Sequence, residues 1–233
     1  MTRLALLFFL VFSTLCLSAQ DTLNRIDPKG RRQGFWRKID TAGNVIYEGR
    51  FRDGKPSGEF RYYYPGGKVK MISVITDEGK RAKTISFYPG GKKMAEGRYM
   101  NEKRDSVWLF FGENSDALAS QEPYRDGRIE GLVKIFYPDG TPSELQYYKL
   151  GVKDGLWEQY YSDGKLRLRG AYKSGDKHGA VKSYYNSGQL MMEGQYLAGH
   201  PEGTWTYYDT RGIVQKIEYY EKGVLVKTEP EQH

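Results

Sequence analysis

Apolar and polar residues alternate along short stretches of this chain, and the alternation returns at regular intervals. In residues 165–172, Leu166, Leu168, Gly170 and Tyr172 fall on one side, and Lys165, Arg167 and Arg169 fall on the other. The same alternation recurs in residues 45–51 and 190–196. A period of two with one charged side is typical of a half-buried antiparallel strand. The glycine in each stretch leaves room for a neighbouring ring to lie against the backbone.

A second feature, a run of aromatic residues that ends in a glycine, gives the length of the repeat. The positions that end these runs are Gly43, Gly67, Gly91, Ser115, Gly140, Gly164, Gly188 and Gly212. The interval between successive positions is constant, as from Gly43 to Gly67, and is longer by one only between Ser115 and Gly140. Self-similarity at such a period indicates a repeat architecture of about eight units.

The residues at the end of each aromatic run indicate a tight turn. In Tyr64-Pro65-Gly66-Gly67 the proline suits a type I turn, and the last glycine can adopt the positive φ of a hairpin bulge. A Gly-x-x-x-Gly motif such as Gly54–Gly58 then leads to the next unit. We therefore predict that each unit is a strand, a tight turn, a strand and a Gly-x-x-x-Gly connector. The third and fourth units lack these glycines, and an irregular loop is expected over residues 112–123.

The first strand of each unit alternates less cleanly than the second. Trp157 and Tyr160 are both large and aromatic, and equivalent positions are apolar or aromatic in most units. Because an odd number of steps separates them, strict alternation would place the two on opposite faces of the sheet. Either a bulge rotates one of them or the sheet carries aromatic side chains on both faces, and the pattern alone leaves both alternatives open.

These patterns predict an all-β fold: an elongated single sheet of about eight stacked antiparallel β-hairpins, or about sixteen strands, because a lone hairpin is marginal in water. The 20 tyrosines and 28 glycines fit aromatic strands joined by glycine turns. The predicted organisation is a leader at 1–19, a short lead-in at 20–29, the hairpin array at 30–223 and a C-terminal tail at 224–233.

The start of the chain, residues 1–19, has the order of a secretory signal peptide. Arg3 precedes an apolar run from Leu4 to about Leu17, and the small residues Ser18 and Ala19 follow. We expect cleavage after about Ala19, with retention as an uncleaved anchor as the alternative. Cleavage would remove Cys16, the single cysteine of the sequence. The expected location is the periplasm or the cell surface.

The repeated motif resembles a known family. Gly155-Leu156-Trp157 through Asp163-Gly164-Lys165, followed by Tyr172, is similar to MORN repeats, in the variant form of bacterial proteins grouped as YwqK-type antitoxins. The resemblance covers about residues 30–223 and is weakest in units three and four. It implies stacked hairpins that act in recognition or scaffolding more than in catalysis.

No arrangement of residues in the sequence favours catalysis, a cofactor or a metal. The glycine motifs lack the Gly-x-x-x-x-Gly-Lys-Ser/Thr order of a phosphate loop. His178 and His200 lie in successive connectors, and a metal site needs more ligands than these two. We therefore expect a protein that is not an enzyme and binds no cofactor.

Two rows of residues are candidates for binding. The tyrosines that close the aromatic runs suit contact with a protein partner, since tyrosine combines a large ring with a polar tip; they are Tyr64, Tyr88, Tyr137, Tyr161 and Tyr185. A ring that caps the sheet end is the structural alternative for this row. Lysines at the turns could contact an anionic lipid or glycan surface, or protect a sheet edge; they are Lys68, Lys92, Lys93 and Lys165.

The function expected from the sequence is that of an exported, non-catalytic binding or scaffolding module for a macromolecular partner in the cell envelope. A protein partner is favoured, and an antitoxin or immunity protein and a binder of anionic lipid or glycan are the alternatives. Nucleic acid is disfavoured by the export leader, although the formal net charge is +7. The open ends of the sheet would also allow a homodimer.

Overall fold

The chain folds as one open antiparallel sheet. The computed structural model describes residues 22–230, so the predicted leader lies outside the described residues. Within the described range there are 20 strands, one 3-10 turn at Asp77–Gly79 and no α-helix. The predicted all-β class is confirmed.

The strands follow one another with short connections. Their bounds are β1 Arg25–Ile26, β2 Arg32–Ile39, β3 Val45–Arg52, β4 Lys55–Tyr63, β5 Val69–Thr76, β6 Arg81–Phe87, β7 Lys93–Met100, β8 Lys103–Phe111, β9 Leu118–Arg125, β10 Arg128–Ile129, β11 Gly131–Phe136, β12 Pro142–Lys149, β13 Val152–Tyr160, β14 Leu166–Lys173, β15 Asp176–Lys177, β16 Gly179–Tyr184, β17 Leu190–Leu197, β18 His200–Tyr208, β19 Val214–Glu221 and β20 Val224–Pro230.

Each strand pairs with its neighbours in the chain, which makes the sheet a continuous meander. Strand β3, for example, pairs with β2 on one side and with β4 on the other. The short strands β10 and β15 continue into β11 and β16, and both members of each pair lie beside the same neighbour. Strands β2–β9, β11–β14 and β16–β19 supply the sixteen expected strands, and β1, β10, β15 and β20 are additional.

The first turn of each unit has the predicted geometry. The Tyr64 N–H donates to the Lys68 carbonyl oxygen at 2.8 Å, and the Gly67 N–H donates back to the Tyr64 carbonyl oxygen at 3.0 Å. Gly67 has φ +82°, a left-handed conformation that glycine adopts without steric cost. The same pair of hydrogen bonds closes the turns at Tyr88, Tyr137, Tyr161 and Tyr185.

The Gly-x-x-x-Gly motif contains a second turn, so it is not a plain connector. Asp53 and Gly54, both with positive φ, make a two-residue hairpin turn between β3 and β4. Gly58, at φ +78°, lies within β4, where the register against β3 shifts by a bulge. The Gly54 N–H donates to the Arg32 carbonyl oxygen of the preceding unit at 3.0 Å. The motif therefore reverses the chain and ties neighbouring units together.

Glycines in the second strand of a unit receive aromatic rings, as expected. A Cβ placed on Gly49 would lie 2.3 Å from the ring of Phe60, and one on Gly97 would lie 2.3 Å from the ring of Trp108. Gly194 has the same relation to Trp205. Because no carbon atom fits at that distance, the absent side chain is what allows each ring to pack on the backbone.

The sheet carries aromatic side chains on both faces, which answers the question left open by Trp157 and Tyr160. The Trp157 ring packs edge-on against Tyr172 at 5.3 Å. The register against β14 shifts between Gln159 and Tyr160, and the Tyr160 hydroxyl donates at 2.6 Å to Glu158, which adjoins Trp157 in the strand and therefore lies on the other side of the sheet. We call the side of Phe60, Trp108, Trp157 and Trp205 the ring face, and the side of Tyr160 the opposite face.

Two segments differ from the sequence prediction. Residues 112–123 were expected to form an irregular loop, but Leu118–Arg125 is strand β9 and pairs with β8 throughout. The loop is limited to residues 112–117, since the ladder of β8 continues across units that have lost their glycines. Residues 224–233 were assigned to a tail, whereas Val224–Pro230 is strand β20 and pairs with β19.

Candidate binding groove on the ring face

The ring face is organised by two series of positions that lie opposite each other. The first series contains aromatic rings and smaller residues: Trp36, Phe60, Thr84, Trp108, Val133, Trp157, Val181 and Trp205. Their cross-strand partners are Gly49, Ser73, Gly97, Glu122, Gln146, Gly170, Gly194 and Glu218. Across the sheet, each position of the second series except Glu218 also lies beside the next member of the first, as Gly49 lies beside Phe60.

Between neighbouring units, the space on the ring face is filled by at least one large side chain or a close apolar contact, with one exception. Phe60 covers Gly49, Trp108 covers Gly97, and Trp205 covers Gly194. A Cβ on Gly170 would meet Trp157 and Val181, each at 3.3 Å. Glu122 and Gln146 are themselves large residues. Ser73 lies opposite Thr84 on the neighbouring strand, and both side chains are small.

A groove of about 440 Å³ lies at this step. Its floor includes Ser73 and Thr84, which are 5% and 2% exposed and whose hydroxyl oxygens are 2.8 Å apart. Phe60 lies on one side of the floor in the repeat series, and Trp108 is the next ring on the other side. The groove therefore lies at a step of the ring face to which the chain contributes no ring.

The walls of the groove are aromatic and its end is charged. Tyr47, Tyr62 and Tyr99 line it together with Phe60, and the rings of Tyr47 and Tyr62 are 5.9 Å apart. Burial, followed by the nearby Tyr47, raises the pKa of the Tyr62 hydroxyl, which therefore stays protonated at neutral pH. Lys80 and Glu102 are exposed residues that border the groove. The site thus offers rings, hydroxyl groups and one charge of each sign.

The predicted tyrosine row lies elsewhere and has a structural role in the chain. Each hydroxyl donates to a backbone carbonyl oxygen 23 residues later, at 2.7–3.0 Å, and each residue is half-buried. The pairs are Tyr64 with Phe87, Tyr88 with Phe111, Tyr137 with Tyr160, Tyr161 with Tyr184 and Tyr185 with Tyr208. These hydroxyls connect successive units, and the structure does not bring them into the groove.

The predicted lysine row makes contacts within the chain. Lys68 donates to the carbonyl oxygen of Pro89 at 3.0 Å. Lys93 pairs with Glu96 at 3.0 Å, and Lys165 pairs with Asp163 at 3.0 Å. Lys92 is exposed. Three of the four ammonium groups therefore already have an oxygen partner.

The histidines and carboxylates form no metal cluster in the part of the chain that the structure covers. His200 is exposed at the start of β18, and His178 is half-buried and donates its backbone N–H to Ala171. Across residues 22–230 no three His, Cys, Asp or Glu side chains are grouped so that they could hold a metal ion. No helix in that range has the length and apolar character needed to cross a membrane.

Sequence reasoning missed the groove although the sequence contains a sign of it. Thr84 lies midway between Phe60 and Trp108 in the sequence, one repeat from each and in phase with both. A small polar residue at a ring position predicts a gap, but the size of the gap also depends on Ser73, on the neighbouring strand, being small. The repeat is a pattern along the chain, whereas the gap depends on the side chains that two neighbouring strands bring together.

The family comparison agrees with the repeat and leaves much of the groove outside it. A family model described as MORN repeat variant matches residues 56–74, 129–150, 153–174, 177–198 and 201–222. Thr84, Tyr99 and Glu102 fall in the stretch between the first and second matches. The groove is therefore built partly from residues 56–74, which match the repeat model, and partly from residues that it does not match.

Comparisons with whole proteins add little. No curated protein matches the chain. Among solved structures, the Tc holotoxin pore of Photorhabdus luminescens is 12% identical over 82% of this chain and 12% of that chain, with a TM-score of 0.23. This chain spans only that small part of the pore protein, and the likeness carries no argument. Five segments of the chain thus match the MORN repeat variant, and the hairpin sheet and its regular period agree with that match.

Proposed function

We propose that this chain is an exported, non-catalytic repeat protein that binds or scaffolds a protein partner in the cell envelope. The observation that carries the proposal is the groove at Ser73 and Thr84, whose aromatic walls open on the ring face. Aromatic residues around a recess are typical of the places where interfaces concentrate their binding energy. MORN-variant repeats also suit a binding module, because a repeated sheet offers a broad regular surface.

A photocrosslinking experiment tests where the partner binds. The full chain would carry the photoreactive amino acid p-benzoylphenylalanine in place of Tyr62, in the groove wall, or of Val107, on the opposite face. Irradiation in the source cell should give a discrete crosslinked protein from position 62 and not from position 107. Equal products from both positions, or none from position 62, would contradict binding at the groove.

The location in the envelope is a separate part of the proposal and rests on residues 1–19. Its support is the order of Arg3, the apolar run and the small residues Ser18 and Ala19. We expect the protein isolated from the envelope fraction to begin just after Ala19. A chain that retains residues 1–19 and is found with cytoplasmic markers would remove this part of the proposal.

The antitoxin alternative rests on the resemblance of the repeat motif to YwqK-type proteins. It requires a toxic protein encoded beside this one and rescue of growth when the two are expressed together. A neighbouring gene that causes no growth defect would dispose of it.

The alternative of an anionic lipid or glycan surface is weakened by the ion pair of Lys93 with Glu96 and that of Lys165 with Asp163. It predicts binding to anionic vesicles that falls steeply with salt, and vesicle flotation assays at two salt concentrations would decide it.

A further inference from the structure

The groove lies between two steps at which the chain supplies its own ring. At the step before it, the Phe60 ring lies on Gly49, and at the step after it, the Trp108 ring lies on Gly97. At the groove itself the corresponding pair is Ser73 and Thr84, whose hydroxyl groups meet on the floor. The groove is therefore flanked by aromatic side chains on both sides.

The neighbouring steps show how a ring is received. Phe60 meets Phe51 edge-on, with centroids 5.3 Å apart and planes at 85°. Trp108 meets Tyr99 edge-on, at 5.0 Å and 76°. Phe51, Phe60 and Tyr99 all line the groove. A ring that entered would find the same edge-to-face partners, an arrangement that aromatic pairs prefer.

The floor of the groove selects for a ring with a polar atom at its tip. Ser73 and Thr84 carry one hydroxyl hydrogen each, and the hydrogen bond between them uses one of the two. The other hydrogen has no acceptor among residues 22–230. A buried donor without a partner is costly, so an occupant that supplies an acceptor is favoured over one that does not. The oxygen of a phenol meets this need, and a plain phenyl ring does not.

The charges at the end of the groove indicate what flanks the ring. Lys80 and Glu102 both border the site and both are exposed, so each can meet an opposite charge. A polypeptide with an acidic and a basic residue beside an aromatic one is complementary to this pair. A sugar ring could also stack on these walls, but a neutral sugar carries no charge to set against Lys80 and Glu102.

We infer that the groove binds a tyrosine side chain of the partner, with an acidic and a basic neighbour set against Lys80 and Glu102. The inference rests on the proposed function, since it names the part of the partner that enters the groove. The ring lies in the groove between Phe60 and Trp108, and its hydroxyl oxygen accepts the free hydrogen of the Ser73–Thr84 pair. The contact is non-covalent.

The test is a calorimetric titration of the full chain with blocked tripeptides. The probes are acetyl-Lys-Tyr-Glu-amide, the same peptide with phenylalanine or leucine in the middle, and N-acetylglucosamine. The tyrosine peptide should bind most tightly. Its advantage over the phenylalanine peptide should be about three- to tenfold, the range expected for one hydrogen bond, and the leucine peptide should be weaker than both. Tighter binding of the leucine peptide, or of the sugar, would overturn the inference.

Two variants of the floor separate the ring from the hydroxyl groups. Thr84→Phe supplies a ring from the chain and should abolish binding of the tyrosine peptide. The double variant Ser73→Ala with Thr84→Val removes both hydroxyl groups and so leaves no donor on the floor, and it should reduce the preference for tyrosine over phenylalanine to about unity. Val107→Phe adds a ring on the opposite face and should change nothing. Melting temperatures of the variants check that each is folded, and the result for Ser73→Ala with Thr84→Val tests the inference even if Thr84→Phe fails to fold.

Crosslinking distinguishes failure of this inference from failure of the proposed function. If Thr84→Phe leaves crosslinking from position 62 unchanged, the partner binds without an anchor in the groove, and the inference is wrong while the proposed function stands. If position 62 gives no crosslinked product in the unsubstituted background, the proposed binding at the groove fails as well.

Discussion

The hydroxyl of Tyr161 donates to the backbone carbonyl oxygen of Tyr184, 2.7 Å away and 23 residues later in the chain. Tyr184 ends the first strand of the next unit, so this hydrogen bond joins two neighbouring hairpins. Four further tyrosines make the same bond to the unit that follows them. Recurrence at one offset shows that the tyrosine at the turn is part of how the units stack.

Removing one of these hydroxyls should lower stability. We expect Tyr161→Phe to reduce the free energy of unfolding by about 0.5–1.5 kcal/mol, the usual net contribution of a hydrogen bond. Urea denaturation followed by tryptophan fluorescence measures the change. Tyr147→Phe is the control, because the Tyr147 side chain is exposed. Equal stability of Tyr161→Phe and the unsubstituted chain would show that the bond contributes little.

A methyl group at a glycine beneath a ring should be poorly tolerated. The Cβ of Gly194→Ala would lie 2.3 Å from the Trp205 ring, so the ring or the strand must move. We expect a loss of about 1–3 kcal/mol in the free energy of unfolding, as for other overpacked cores, together with a change in tryptophan fluorescence. Gly90→Ala is the matched control, since a Cβ there meets no atom within 4 Å. A loss as large in the control would contradict packing as the cause.

Leu150 occupies a turn position that does not suit leucine. Its φ is +51°, and its side chain is 60% exposed, so it is strained without being buried. Left-handed backbone costs most side chains roughly 1–2 kcal/mol, and asparagine adopts it more readily. We therefore expect Leu150→Asn to raise the free energy of unfolding by about 0.5–1 kcal/mol, a part of that cost.

Thermal unfolding of Leu150→Asn can be compared with the reverse change in an equivalent turn, Asn101→Leu. Asn101 has φ +48° and is also exposed. The first variant should melt above the unsubstituted chain and the second below it. Opposite shifts would show that backbone strain does not set the stability of these turns.

Stability in acid should depend on Asp27. The pKa of Asp27 is lowered to about 2, mainly because its carboxylate accepts a hydrogen bond from the backbone N–H of Arg31. Burial opposes this effect, and a hydrogen bond from the Gln33 side chain adds to it. Because the pKa is depressed in the folded chain, the stabilisation is present above the unfolded value of about 4 and is lost as pH falls from about 4 to 2.

The variant Asp27→Asn should therefore lose less stability than the unsubstituted chain as the pH falls through this window. Urea midpoints at several pH values across it give the comparison. Asp116→Asn, at an exposed loop carboxylate, is the control. Parallel pH curves for Asp27→Asn and the unsubstituted chain would mean that ionised Asp27 does not contribute to folding.

Much of the architecture can be predicted from the residues alone because it depends on local geometry. The glycine at position 67 and its counterparts allow positive φ, so the turns and their regular period follow from the sequence. The use of glycine beneath a ring also follows, since alternation along the strand places Gly194 on the face of the sheet where the Trp205 ring packs. The same reasoning failed at Leu118–Arg125, where pairing with β8 imposes a strand on residues without a regular pattern.

The binding features were decided by contacts between strands that are distant in sequence. The sequence places the tyrosines from Tyr64 to Tyr185 at equivalent turns, and only the structure shows that a carbonyl oxygen of the next unit lies within hydrogen-bonding distance of each hydroxyl. The groove exists because Ser73 and Thr84, each ordinary on its own, meet at one step of the ring face. By itself the sequence determined the repeat, its turns and its ring positions, because these follow from backbone conformation. The tertiary structure alone decided which rings are committed to stacking and where a ring is missing, because that depends on which side chains neighbouring strands bring together.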